Sequence, residues 1–132
     1  MVSIITAVHN QLAMNKLFLE KLRQYTFHPF ELIIIDNNSS DGSAEFFESE
    51  GVKVIRNKAN YAYPHCQNQG IQVARYNLFA FLNNDLIVSP DWDKRMIEAM
   101  DFNGLDIVTS CGIERMESRP ATIKMIQKWN LV

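Results

Sequence analysis

The sequence predicts an α/β domain with a mostly parallel sheet flanked by helices. Short apolar runs rich in Ile, Val, Leu and Phe recur at Val2 to Val8, Glu31 to Ile35, Val52 to Ile55, Leu78 to Leu82 and Leu105 to Thr109. Most are continuous instead of alternating, as in strands covered on both faces. The segments between them have helical spacing, and regular alternation of strand and helix gives a parallel sheet with crossover helices.

The first run, Val2 to Val8, is a strand. It lacks both a basic leader and a small-residue cleavage site, so it does not read as an export signal. Met14, Phe18, Leu22 and Tyr25 then put one apolar stripe on a helix from about Leu12 to Thr26. After the second strand, a shorter helix fits Ser43 to Ser49, started by Ser39-Ser40-Asp41 and stopped by Gly51. Pro64 suits the first turn of a third helix carrying Cys66, Gly70 and Val73 on one face. Ser89-Pro90-Asp91 reads as a helix start with a capping hydroxyl, a Pro at the first position and an acid at the positive end. Trp92, Met96 and Ala99 give that helix its buried side. Met116 to Val132 reads either as a helix begun near Pro120 or as a mobile segment. Residues 1–132 carry no internal repeat or linker, and their length is that of one domain.

Composition excludes several classes. With 13 Lys+Arg against 15 Asp+Glu the formal charge is −2, which gives no electrostatic reason to expect a nucleic-acid partner. No apolar run approaches the ~20 residues that span a bilayer. Cys66 and Cys111 form no CxxC pair and read as buried thiols of a reducing compartment, hence a cytoplasmic chain, at most at the membrane periphery.

Ligands of such sheets bind beyond the carboxyl ends of the strands, where strand order reverses. The first strand ends Ala7-Val8-His9-Asn10, with neither GxGxxG nor GxxxxGK[ST], and without the paired acids of a phospho-receiver domain. The second ends Asp36-Asn37-Asn38-Ser39-Ser40-Asp41-Gly42. Ser39 to Gly42 reads as a turn capping the next helix. Asp36 and Asn37 read either as turn residues or as acceptors for a base N–H or a ribose hydroxyl. The fourth ends Leu82-Asn83-Asn84-Asp85, where a carboxylate is either part of a turn or a hard oxygen ligand for Mg²⁺ or Mn²⁺. His65 and Asn68, three apart, share a face near the start of the third helix, an end that attracts anions. Asn60, Tyr61 and Tyr63 read equally as loop packing, and His28, beside Pro29, as surface.

The pieces VSIITAVHN, ELIIIDNNSSDGS, VKVIRNKANYAYPHCQNQGI and LFAFLNNDLIVSPDW, in this order and spacing, resemble family 2 glycosyltransferases of the GT-A fold over about the first hundred residues. The resemblance implies a Rossmann-like GT-A nucleotide-binding half. Ala7, Val8 and His9 would line the base and ribose, and Asp36 and Asn37 would complete the base pocket. Asn68 would face the diphosphate or sugar, Asn84 the ribose, and Asp85 would bind the Mg²⁺ or Mn²⁺ that bridges the diphosphate. The implied partner is a nucleotide diphosphate sugar donor, and the implied reaction is sugar transfer to an acceptor hydroxyl on a glycan or lipid-linked sugar. The metal would act as a Lewis acid on the leaving diphosphate.

The chain departs from the family pattern in places. Asn83 and Asn84 precede Asp85 where many relatives have an acid, leaving one carboxylate in this version of the DXD motif. Tyr61 and Ala62 stand where many relatives have glycine and an aromatic. Relatives continue further, through an acceptor-binding half with a general base, and neither Glu114 nor Glu117 sits in a recognisable version of that motif. The catalytic base is therefore unassigned, and the chain reads as the nucleotide-binding part of a longer enzyme, with self-association through uncovered apolar surface as a consequence. The alternative is a non-catalytic nucleotide-binding or protein-interaction module on the same fold.

Overall fold

A computed structural model describes residues 1–110; Cys111, Glu114, Glu117 and the segment 116–132 lie outside the described residues. The elements are β1 (Val2–Val8), α1 (Leu12–Tyr25), β2 (Phe30–Asp36), α2 (Ser43–Ser49), β3 (Lys53–Arg56), α3 (Tyr63–Val73), β4 (Phe79–Phe81) and α4 (Trp92–Asn103). Two compact units result, Met1–Arg95 and Met96–Val132, and the sheet belongs to the first. No helix among the described residues is long and apolar enough to cross a membrane.

The strands form one four-stranded sheet in the order β3-β2-β1-β4, every neighbouring pair parallel. The order reverses between β1 and β4, which makes the carboxyl end of β1 the switch point. Successive side chains alternate between the two faces. Ile5, Ile33 and Ile35 meet Cys66 of α3 on one face, with Ala7, Ile55 and Val73 packed around them. The approach is close because position 70 is glycine: a Cβ there would run into the Ile5 side chain. Right-handed crossovers put α1 and α2 on the opposite face, where Phe18, Leu19, Leu22 and Phe47 are buried. Continuous apolar runs thus mark β1 and β2, which are covered on both faces.

Several expectations from sequence need correction. Leu105 to Thr109 forms no strand: the segment pairs with no other among the described residues, and Leu105 and Ile107 are exposed. An apolar run without a partner cannot satisfy a strand's backbone groups. The edge strands β3 and β4 are only partly covered. Helix α4 begins at Trp92, after a turn in which the Trp92 N–H donates to Ser89 O and Asp91 takes a left-handed φ of 56°. Trp92, Met96 and Ala99 are partly exposed, and the buried residue of α4 is Asp93. Asp93 accepts from the Phe27 and His28 backbone N–H groups and from His28 Nδ1, so His28 is a half-buried tie and not a surface residue.

Candidate functional site

Val8 stands opposite Asp36 in the parallel register, so β1 and β2 end level. Their tips are laced together by short polar side chains. Asn10 donates its N–H to Ser39 Oγ at 2.8 Å and accepts the Ser40 N–H on Oδ1 at 2.8 Å. Asp41 accepts from the Leu12 N–H at the start of α1 and from the Ser43 N–H at the start of α2. The turn Ser39 to Gly42 therefore caps two helices, one more than the sequence reading gave it. Burial pushes the Asp41 pKa up, but the Ser43 hydroxyl and these backbone donors outweigh it and hold the carboxyl below its ordinary value. His9 is exposed, with Nδ1 2.8 Å from Asn37 O and Nε2 3.3 Å from Asn10 Nδ2. A carbonyl can only accept, which places the ring proton on Nδ1.

Asp36 is 3% exposed, and its two oxygens are treated differently. Oδ2 accepts the Ser39 N–H at 3.2 Å, whereas Oδ1 is buried with no hydrogen-bond partner. Thr6 Oγ1 is likewise buried and unpartnered, one ladder step away on the same face of the β1–β2 pair. Buried polar atoms are nearly always hydrogen-bonded, and these two have no partner among the described residues, which leaves each open to a water or a ligand group.

Asn37, the other candidate on this tip, spends its amide on its own chain. Nδ2 donates to Asn60 Oδ1 and Tyr61 O, while Oδ1 accepts from Asn57 Nδ2, the Tyr61 N–H and Cys66 Sγ. Asn57 in turn exchanges two hydrogen bonds with Gln69 of α3. This network fixes the loop between β3 and α3, which places Tyr61 against His65 with ring centroids 4.8 Å apart and planes tilted by 49°. Burial pushes the Cys66 thiol up, as befits a packing residue.

The β4 tip is tied to β1 by the Leu82 N–H donating to Ile5 O at 3.2 Å. Asn84 Nδ2 donates to Asn15 Oδ1 at 2.7 Å. Asp85 is exposed and has no ion-pair partner among the described residues. Asp36 and Asp85 thus lie on the tips flanking β1. The side chains of Ala7 and Val8 are packed inward, so these residues can offer a ligand only their backbone. Asn68 is exposed on α3.

Among the described residues no group of three or more His, Cys, Asp or Glu side chains could cage a metal. The oxygens of Asp85 and Asn84 instead fit a cation held largely by phosphate and water, as Mg²⁺ usually is. A separate cavity of about 330 Å³ lies at the amino ends of β2 and β3. Its charges are already engaged: Arg23 with Glu50, Arg75 with Glu31, and Lys53 on Val73 O. Sequence reasoning missed Asn15, Asn57 and Asp93. The signal for Asn15 was a polar residue in register with Phe18, Leu19 and Leu22 on the buried side of α1.

The parallel sheet, its switch point and the flanking helices define a Rossmann-like protein of the GT-A type. A family model described as Glycosyl transferase family 2 matches residues 3–130, and the chain belongs to that family of glycosyltransferases. It is 32% identical over 101 residues to the putative glycosyltransferase EpsH of Bacillus subtilis, covering 73% of this chain and 29% of that protein. It is also 32% identical over 110 residues to chondroitin synthase of Escherichia coli, covering 76% and 16%. The chain spans about a third of the length of the first curated relatives it matches (29%, 35% and 35%). Among solved structures, residues 1–349 of S. aureus TarS in complex with UDP superpose with a TM-score of 0.72 at 18% identity, covering 89% of this chain and 39% of that one. Mannosyltransferase PcManGT of Pyrobaculum calidifontis, in complex with GDP-Man and Mn²⁺, gives a TM-score of 0.63 at 14% identity, covering 68% and 29%.

Proposed function

We propose that this chain binds a nucleotide diphosphate sugar across the tips of β2, β1 and β4, and that the whole protein transfers the sugar to an acceptor hydroxyl on a glycan or lipid-linked sugar. The observation that carries the reading is the buried Oδ1 of Asp36, unpartnered among the described residues, on the β2 tip, with Asp85, which has no ion-pair partner among them, beyond the β4 tip on the other side of β1. Asp36 Oδ1 accepts a base N–H; the backbone of Ala7 and Val8, with His9, lines base and ribose. Asn37 completes this pocket by holding the loop that carries Tyr61. Asn84 serves the ribose side, Asn68 the diphosphate or sugar, and Asp85 holds Mg²⁺ or Mn²⁺. When bound, that cation supplies positive charge to the leaving diphosphate. The UDP and GDP-Man complexes of TarS and PcManGT, the latter with Mn²⁺, support this choice of ligand. Residues 1–132 act as the donor-binding domain, in the cytoplasm or at the membrane periphery. Phe79 and Phe81, exposed on the edge strand β4, favour self-association at high concentration.

Calorimetric titration of the chain with UDP, TDP and GDP, with and without Mn²⁺, tests the reading. Binding by one of them, strengthened by metal, is expected; binding by none refutes it.

A further inference from the structure

Asn15, the polar residue on the buried side of α1, is fully buried, and its side chain joins three separate tip segments. Nδ2 donates to Asn10 O beyond β1 at 2.9 Å and to Ser43 Oγ at the start of α2 at 2.8 Å. Oδ1 accepts Asn84 Nδ2 beyond β4 at 2.7 Å.

The polarity of this arrangement is forced. Ser43 spends its one hydroxyl proton on Asp41 Oδ1 at 2.6 Å, so toward Asn15 its oxygen can only accept. Asn10 O, a carbonyl, can only accept as well. The NH₂ end of Asn15 must face both, and its oxygen must face Asn84. Asn84 is then obliged to turn its NH₂ toward Asn15, which leaves its carbonyl oxygen, unpartnered among the described residues, available at the position that directly precedes the exposed Asp85.

We propose that Asn15 is a positioning residue of the donor site: it holds the β4 tip against the β1 and β2 tips and orients the Asn84 amide so that an oxygen, not an NH₂, is presented beside Asp85. The proposal rests on the donor-binding reading above. It also accounts for an amide standing where an acid would be expected. A carboxylate at position 84 would meet Asn15 Oδ1 without a proton to share.

The test uses the full chain, UDP as the probe and two variants. Asn15→Leu keeps bulk and removes both polar ends; Asn84→Asp changes a partly exposed turn residue, so folding is not at stake. In the parent, the Asn84 side-chain amide should give a proton-exchange-protected signal in ¹⁵N-resolved NMR, and Asn15→Leu should release it. Asn15→Leu should reduce the gain in UDP affinity on adding Mn²⁺ by about tenfold (~1.4 kcal/mol) while metal-free UDP affinity changes by less than about twofold. A residue that merely stiffens the fold would lower both alike, and that result overturns the proposal. Asn84→Asp should also lose metal-dependent gain despite its added charge; a larger gain than the parent's overturns the forced polarity. If Asn15→Leu does not fold, Asn84→Asp and the parent's amide signal decide. If the parent binds no UDP, whichever of TDP or GDP it binds replaces UDP as the probe; if it binds none of the three, the donor reading fails, and the amide signal in the two chains still decides for or against the Asn15 tether.

Discussion

Asp36→Asn is the sharpest single perturbation, because stability and binding should move in opposite directions. The carboxylate is buried with one long hydrogen bond, from the Ser39 N–H at 3.2 Å, and its Oδ1 has none. A buried polar group left unsatisfied costs ~1–3 kcal/mol, and more when it is charged. Asparagine keeps a carbonyl for the Ser39 N–H and removes the charge, although its NH₂ then occupies the position of the unpartnered Oδ1. The net expectation is a gain of about 1 kcal/mol, or roughly 3–5 °C in melting temperature for a chain of this length. UDP binding should fall ~10–100-fold, since a donor now faces the base N–H and a hydrogen bond to a charged acceptor, worth ~1.5–3 kcal/mol, is lost. Thermal melts followed by circular dichroism and titration calorimetry on the same preparations read both quantities. A variant that melts lower than the parent and binds UDP as well would refute the reasoning, because the oxygen would then be satisfied within the fold and idle toward ligand.

Asp85→Ala should leave the melting temperature within about 1 °C, as expected of an exposed side chain without a partner, while abolishing the Mn²⁺-dependent part of UDP binding; titration with and without metal checks it, and unaltered metal dependence would remove Asp85 from the cation site. Gly70→Ala should destabilise by ~1–3 kcal/mol through the clash with Ile5, measured by urea unfolding. Asp93→Asn should cost ~2–4 kcal/mol, because an NH₂ would confront donors that now point at a carboxylate. Burial pushes the Asp93 pKa up, but the Phe27 and His28 donors more than offset it, so the folded carboxyl lies below its ordinary value. Its contribution is therefore complete above the unfolded pKa of about 4 and fades as pH falls through the folded value; melts from pH 6 to 2 should lose stability more steeply in the parent than in Asp93→Asn.

Where a run of apolar residues had a partner on each side, its sequence was enough to define it. Val2 to Val8 and the run around Ile33 became central strands because burial on two faces demands the continuous Ile and Val that the sequence displays. Leu105 to Thr109 has the same local chemistry without a pairing partner, and pairing is not a property of the segment. The strand-tip polar clusters were legible as clusters, since helix starts and turns attract Asn, Asp and Ser whatever their further use. What each member does was not. Asp36 and Asn37 are adjacent and similar in type, yet one keeps an unpartnered oxygen and the other is committed to Asn57, Asn60, Tyr61 and Cys66. Asp36 meets only the turn three residues on, through the Ser39 N–H, whereas Asn37, just past the strand end, is claimed by the β3–α3 loop and α3, twenty or more residues away in sequence.

The same contrast explains why the tips are built from carboxamides. Asn10, Asn15, Asn37, Asn57 and Gln69 each donate and accept, so they can join loops in a fixed sense without adding charge. Lysine or arginine in these places would neutralise the carboxylates they touched. With a neutral frame, Asp41 is consumed by helix N–H groups, while Asp36 and Asp85 form no ion pair among the described residues. On the proposed function, a diphosphate brought near Asp85 would be repelled unless a divalent ion offset the two negative charges. On the proposed function, metal dependence of nucleotide binding would be the electrostatic counterpart of this carboxamide frame.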